Sequence, residues 1–181
     1  MARLRVSEPP KESRMPILTR FLFAVLAVSI AAPSPTAEAT FSIAIKAAQE
    51  TVKSGSEARV GITLTNISKR QISIFKVNGN GQAELAGFDV DVRNTDGNTP
   101  PETKYHKKIK TGEDAQGETS QVVVSGGYIS LNSGESVKDE IVVTRLFDLS
   151  SPGSYKVQVE KMDEQSKVVV KSNVITVTVT Q

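Results

Sequence analysis

After Thr40, apolar side chains return at every second residue, a period that builds half-buried strands and excludes amphipathic helices. Phe41, Ile43 and Ile45 alternate with Ser42, Ala44 and Lys46; Val60, Ile62 and Leu64 alternate with Gly61, Thr63 and Thr65. Ile72 and Ile74 open a third run, and Phe88, Val90 and Val92 a fourth, alternating with Asp89, Asp91 and Arg93. Val122–Val124 and Tyr128–Leu131 read as short strands, Val137–Leu146 as a longer one; Tyr155–Val159 and Ile175–Val179 close the chain. Turn chemistry separates them at 53–56, 66–70, 96–98 and 148–153. No segment sustains an i, i+3, i+4, i+7 apolar face. About seven to nine short strands in a single domain predict an all-β, two-sheet Greek-key sandwich. With no cysteine in the chain the fold has no disulfide, and a domain of this length buries enough surface to need none.

Residues 1–39 have a different character. Arg20 precedes twelve uncharged residues, Phe21–Ala32, then Pro33 and Pro35, then Ala37-Glu38-Ala39. A basic start, a short apolar core and an A-x-A end make an export signal, with the cut expected between Ala39 and Thr40. A membrane-spanning helix needs about 20 apolar residues, so no stable anchor is expected here. Met1–Arg14 is long and polar for a leader, and Met15 reads as the true start. The expectation is a secreted or periplasmic domain over 40–181. Removing the first 39 residues takes away five Lys/Arg and three Glu, leaving 17 of each sign. The formal charge of +2 therefore belongs to the leader, and no nucleic-acid partner is expected.

Gly153-Ser154-Tyr155-Lys156-Val157 resembles the tyrosine corner of immunoglobulin-like domains, which implies structural roles for Gly153 and Tyr155. Val157 stands where antibody domains carry their second cysteine, and the chain has no tryptophan. Together with Leu131–Ser136 and Leu146–Ser150, this segment is similar to bacterial secreted immunoglobulin-like domains, and to the β-sandwich prodomain of deuterolysin-type metalloproteases. The resemblance covers residues 131–159 and implies fold and setting. It cannot imply proteolysis, because no His-Glu-x-x-His helix is present.

Few groups could carry chemistry. One histidine and no cysteine rule out the common zinc arrangements, and His106 is the only imidazole available as a base. It lies among Lys104, Lys107 and Lys108, where neighbouring ammonium groups disfavour its protonation and solvated surface is the expectation. No phosphate loop, dinucleotide fingerprint or G-x-S-x-G elbow occurs. Asp89, Asp91 and Asp96 offer the hard oxygens that calcium takes, but with Gly97 at position six of an EF-hand loop the ends fall on Val92 and Thr103. The expectation is no enzyme, no cofactor and no metal.

The polar stretch 94–121 is the candidate contact region, read either as a long disordered loop or as a loop shortened by a hairpin around Lys104–Lys110. Its possible interaction residues are Lys104, Tyr105, His106, Lys107, Lys108, Ile109 and Lys110. They could meet an anionic partner, or they could be lysines guarding a hairpin edge against aggregation. Asn66-Ile67-Ser68 forms a glycosylation sequon. The leading reading is an exported, non-catalytic binding or protein-interaction module. The alternatives are an inhibitor or chaperone-like partner of an exported protease, which rests on the prodomain resemblance, and an enzyme using carboxylates alone.

Overall fold

The computed structural model describes residues 38–112 and 124–181; the expected signal segment lies outside them except for its last two residues. Strand β1 (Phe41–Ala47) pairs antiparallel with β3 (Arg59–Asn66), which pairs with β7 (Ser136–Val142). The second sheet runs β2 (Thr51–Lys53), β10 (Ile175–Thr180), β8 (Gly153–Asp163), β5 (Phe88–Arg93). Strand β9 (Val168–Lys171) also pairs with β8, beyond the end of β10 and on the edge opposite β5. Strands β4 (Ile72–Val77) and β6 (Gly126–Leu131) form a separate two-stranded ribbon. The sets β1-β3-β7 and β5-β8-β10 reproduce the A-B-E and C-F-G orders of the immunoglobulin sandwich.

Alternation explains the core. Val60, Ile62 and Leu64 of β3 are all buried, as are Val157 and Val159 of β8 and Val177 and Val179 of β10. The hydroxyl of Tyr155, itself 5% exposed, donates to the Ser151 carbonyl at 2.7 Å, pinning the turn into β8.

Side chains also join the two sheets. Asn173 interrupts the edge formed by β9 and β10; its Oδ1 accepts from Ile45 N at 2.8 Å and its Nδ2 donates to Ile45 O at 3.1 Å. One side chain thus satisfies both backbone groups of Ile45 on the open edge of β1, where a foreign strand could otherwise pair.

Three local expectations need correction. Lys104–Thr111 is helix α1, neither a hairpin nor a disordered loop. The strand expected over Val137–Leu146 stops at Val142, and Val143–Leu146 makes one helical turn, α2. Of Val122–Val124 only Val124 is described, and it lies outside any strand. The short strands β2 and β9 bring the total among the described residues to ten.

Candidate interaction surface

Helix α1 is bounded by local chemistry. Thr103 Oγ1 accepts from His106 N at 3.1 Å as the N-cap, and donates to Arg145 O at 2.5 Å. Gly112 ends the helix with φ of 73° and its N–H on Lys108 O at 2.8 Å; that left-handed conformation favours glycine. Thr103 N donates to Leu146 O, and Asp148 N donates to Pro101 O, so the approach to the helix is tied to the chain around α2.

Helical spacing then sorts the candidate residues into two faces. Tyr105, His106 and Ile109 turn inward and are half-buried. Tyr105 donates its hydroxyl to Glu84 Oε1 at 2.9 Å, with the Arg145 guanidinium 5.7 Å from its ring centre. Burial, then the bond to Glu84, pushes the Tyr105 phenol up to about 12. Burial also raises the Glu84 carboxyl above its ordinary value. His106 is not solvated surface: its side chain is 12% exposed and meets Phe147 edge-on at 4.8 Å between centroids. Burial holds the imidazole below its usual value, and Nδ1 lies 3.6 Å from Glu102 Oε1 with no hydrogen bond to a described residue.

The outer face is basic. Lys104, Lys107 and Lys108 follow at i, i+3 and i+4, and none has an ion-pair partner among the described residues. Lys110 stands to one side, its ammonium 2.7 Å from Glu102 Oε1. Sequence reasoning missed Glu84, Glu102 and Arg145, because each meets the helix only through the fold.

The other candidate residues are not brought together. Asp91 accepts from Arg93 Nε at 2.8 Å, Asp89 is exposed opposite Glu160, and Asp96 lies in the following turn. Among the described residues no three His, Cys, Asp or Glu side chains gather to hold a metal. The sequon asparagine is fully buried: Asn66 Nδ2 donates to Arg70 O and Leu131 O, while Oδ1 accepts from Ser68 N and Oγ. A glycan on that nitrogen is incompatible with the fold.

A second surface borders β4. Asn78 N donates to Ser125 O, so the even-numbered residues of β4 face β6, and the backbone groups of Ser73 and Phe75 point to the open edge. That edge lines a groove of about 380 Å³, with Tyr128, Met162 and Lys161 along it. Tyr128 is 77% exposed and is propped edge-on by Phe75, whose ring lies where any Cβ on residue 126 would stand. Lys161 reaches inward to the Ala86 carbonyl and over the Phe88 ring, and burial holds its ammonium below the ordinary lysine value.

No protein-family model and no curated protein matches the chain, and the deuterolysin resemblance gains no support. Among solved structures, the chain is similar to the CARDB domain of a Pyrococcus furiosus protein in complex with di-metal ions, at 10% identity and a TM-score of 0.39 over 78% of this chain and 89% of that one. It is also similar to a β-glucosidase from Listeria innocua in complex with isofagomine, at 16% identity and TM-score 0.37, covering 78% of this chain and 16% of the enzyme. A third is Bacteroides uniformis beta-glucuronidase 2, at 12% identity and TM-score 0.34, covering 76% and 13%. None of these bears on what the chain binds; its own strand order and tyrosine corner make it an immunoglobulin-like β-sandwich.

Proposed function

We propose that the protein is an exported, non-catalytic protein-interaction module that docks an acidic partner surface through the outer face of α1. One observation carries this reading: three lysines share one face of a helix whose opposite face is fixed by packing and whose ends are capped. A positive face held in place loses little conformational freedom on binding, and charge complementarity favours encounter with an acidic surface. The groups with perturbed titration serve internal partners: Glu84 binds Tyr105, and His106 packs on Phe147. This supports a structural use for them over catalysis.

Zero-length carbodiimide coupling in the exported fraction tests it. Cross-links from Lys104, Lys107 or Lys108 to carboxylates of another protein are expected. Cross-links confined to Lys46, Lys53 or Lys69 would place the contact elsewhere.

The free edge of β4 favours a second reading, in which an extended peptide adds as a strand beside Ser73 and Phe75. Its N–H and C=O groups would satisfy that edge, and a carboxylate on it would meet Lys161. Ser73→Pro removes a free donor without touching the β4–β6 ladder. That variant should abolish such binding while leaving α1 cross-links intact.

A further inference from the structure

The β8 strand ends on a carboxylate that is 1% exposed and has no cationic side chain paired with it among the described residues. Asp163 Oδ2 accepts from Thr40 N at 2.6 Å and from Ser166 Oγ at 2.8 Å; Oδ1 accepts from Gln165 N at 3.0 Å and Ser166 N at 3.4 Å. Thr40 is itself buried, and its carbonyl accepts from Ile67 N at 3.0 Å and Ser68 N at 3.2 Å. The residue at the start of β1 is thus held from both sides. Ala39 is half-buried and Glu38 exposed, so the chain emerges to solvent just upstream of this bond.

We infer that Asp163 is the receptor for a new chain terminus: cleavage after Ala39 turns the Thr40 amide into an α-ammonium, which forms a buried ion pair with the Asp163 carboxylate. The inference rests on the export cut of the proposed function. Hydrolysis breaks the Ala39 C–N bond and consumes one water, leaving a carboxylate on Ala39 and an ammonium on Thr40. The nitrogen stays where the fold already holds it, and its charge compensates a buried anion that in the uncut chain has only neutral donors. Charge-assisted hydrogen bonds are shorter and roughly twice as strong as neutral ones. The cut would therefore fasten β1 to the end of β8, joining the two sheets.

Burial alone would raise the Asp163 carboxyl, but bonds from Thr40, Ser166 and Gln165 hold it below its ordinary value, ready to receive a cation. An α-ammonium titrates near ~7.7–8.0 when free, and pairing with Asp163 raises that value in the folded state. Its stabilisation is complete below the unfolded value and is lost as pH rises through the folded one. Other titratable groups nearby are Glu38 upstream, Lys161 on β8, Glu164 and Lys167 in the next turn (paired at 2.9 Å), and Tyr128 across the groove. All but Glu38 are common to every form compared below.

Among the described residues every buried core side chain lies between Phe41 and Val179, so the domain can be compared in two forms, beginning at Thr40 or retaining Ala39. Unfolding midpoints are measured from pH 6 to 10 for both, and for both carrying Asp163→Asn. At pH 6–7 the Thr40 form should melt higher, by about 3 °C or more, on the scale at which a domain of this size reports a modest stabilisation. The gap should close towards pH 10 and be absent in the Asp163→Asn pair. Equal midpoints at every pH, or a gap that persists in Asp163→Asn, would overturn the inference. N-terminal sequencing of the exported protein separates the two claims. A terminus other than Thr40 with the gap present would leave Asp163 a competent receptor but remove the maturation role; a Thr40 terminus without the gap defeats the receptor alone.

Discussion

Two buried polar side chains show what a single residue contributes and how much of it a sequence reveals. Tyr155 was legible because its motif is local: a turn, a tyrosine and an alternating strand within a few residues. Its hydroxyl reaches Ser151 O, four residues back. Tyr155→Phe removes that bond and leaves a carbonyl to find water, so a loss of about 1 kcal/mol is expected in denaturant unfolding. An unchanged midpoint would mean that the bond contributes nothing net. Asn66 was not legible, because its partners include Leu131 O, 65 positions away, and nothing in the sequon itself marks a buried side chain. Asn66→Ala takes the side-chain donor from the buried Leu131 carbonyl, while Ser68 N keeps Thr40 O and Arg70 O keeps Ser68 Oγ, and it should cost about 1–3 kcal/mol. Expression in a glycosylating host should yield folded protein with no glycan at Asn66, checked by intact mass.

At the scale of elements, strands were read well where alternation ran for five residues or more, as in β1, β3 and β8. The three-residue β2 and four-residue β9 are too short to show a period and pair only because long neighbours offer an edge. Four lysines hide the helical pattern of α1 and leave only a loop or a hairpin to expect, although Thr103, Gly112 and the Tyr105–Ile109 pair at i, i+4 are helix signals. Thr103→Ala should cost about 1–2 kcal/mol, since that hydroxyl both caps the helix and holds Arg145 O.

The docking of α1 should also respond to acid. Burial depresses the His106 imidazole, so the folded state binds fewer protons than the unfolded one. The stability this carries is present above about pH 6.5, the ordinary histidine value, and lost as pH falls through the depressed one. Glu84, raised by burial, works in the opposite sense, while Glu102, lowered by its bond to Lys110, works in the same sense at lower pH. Comparing the protein with His106→Gln isolates the imidazole: the variant should lose less stability between pH 7 and 5. Parallel pH profiles would remove the buried-imidazole account.

For the whole molecule, the period of the chain is enough to indicate a two-sheet sandwich, because two half-buried sheets must cover each other, and the resemblance of Gly153–Val157 to a tyrosine corner implies the immunoglobulin-like type. The surfaces available for binding were less accessible to sequence reasoning. Which lysines share a face depends on 104–111 being helical, and the open edge of β4 depends on which strand pairs with β6. Residues 40–181 hold equal numbers of acidic and basic residues, so any preference for an acidic partner must come from where the charges stand. Titrating the isotope-labelled domain with poly-glutamate and following backbone amide resonances tests that placement directly. Salt-sensitive shifts centred on Lys104, Lys107 and Lys108 are expected, weakened when those three are changed to Gln. Shifts spread evenly over the lysines of both sheets, or unchanged in the triple variant, would contradict the account.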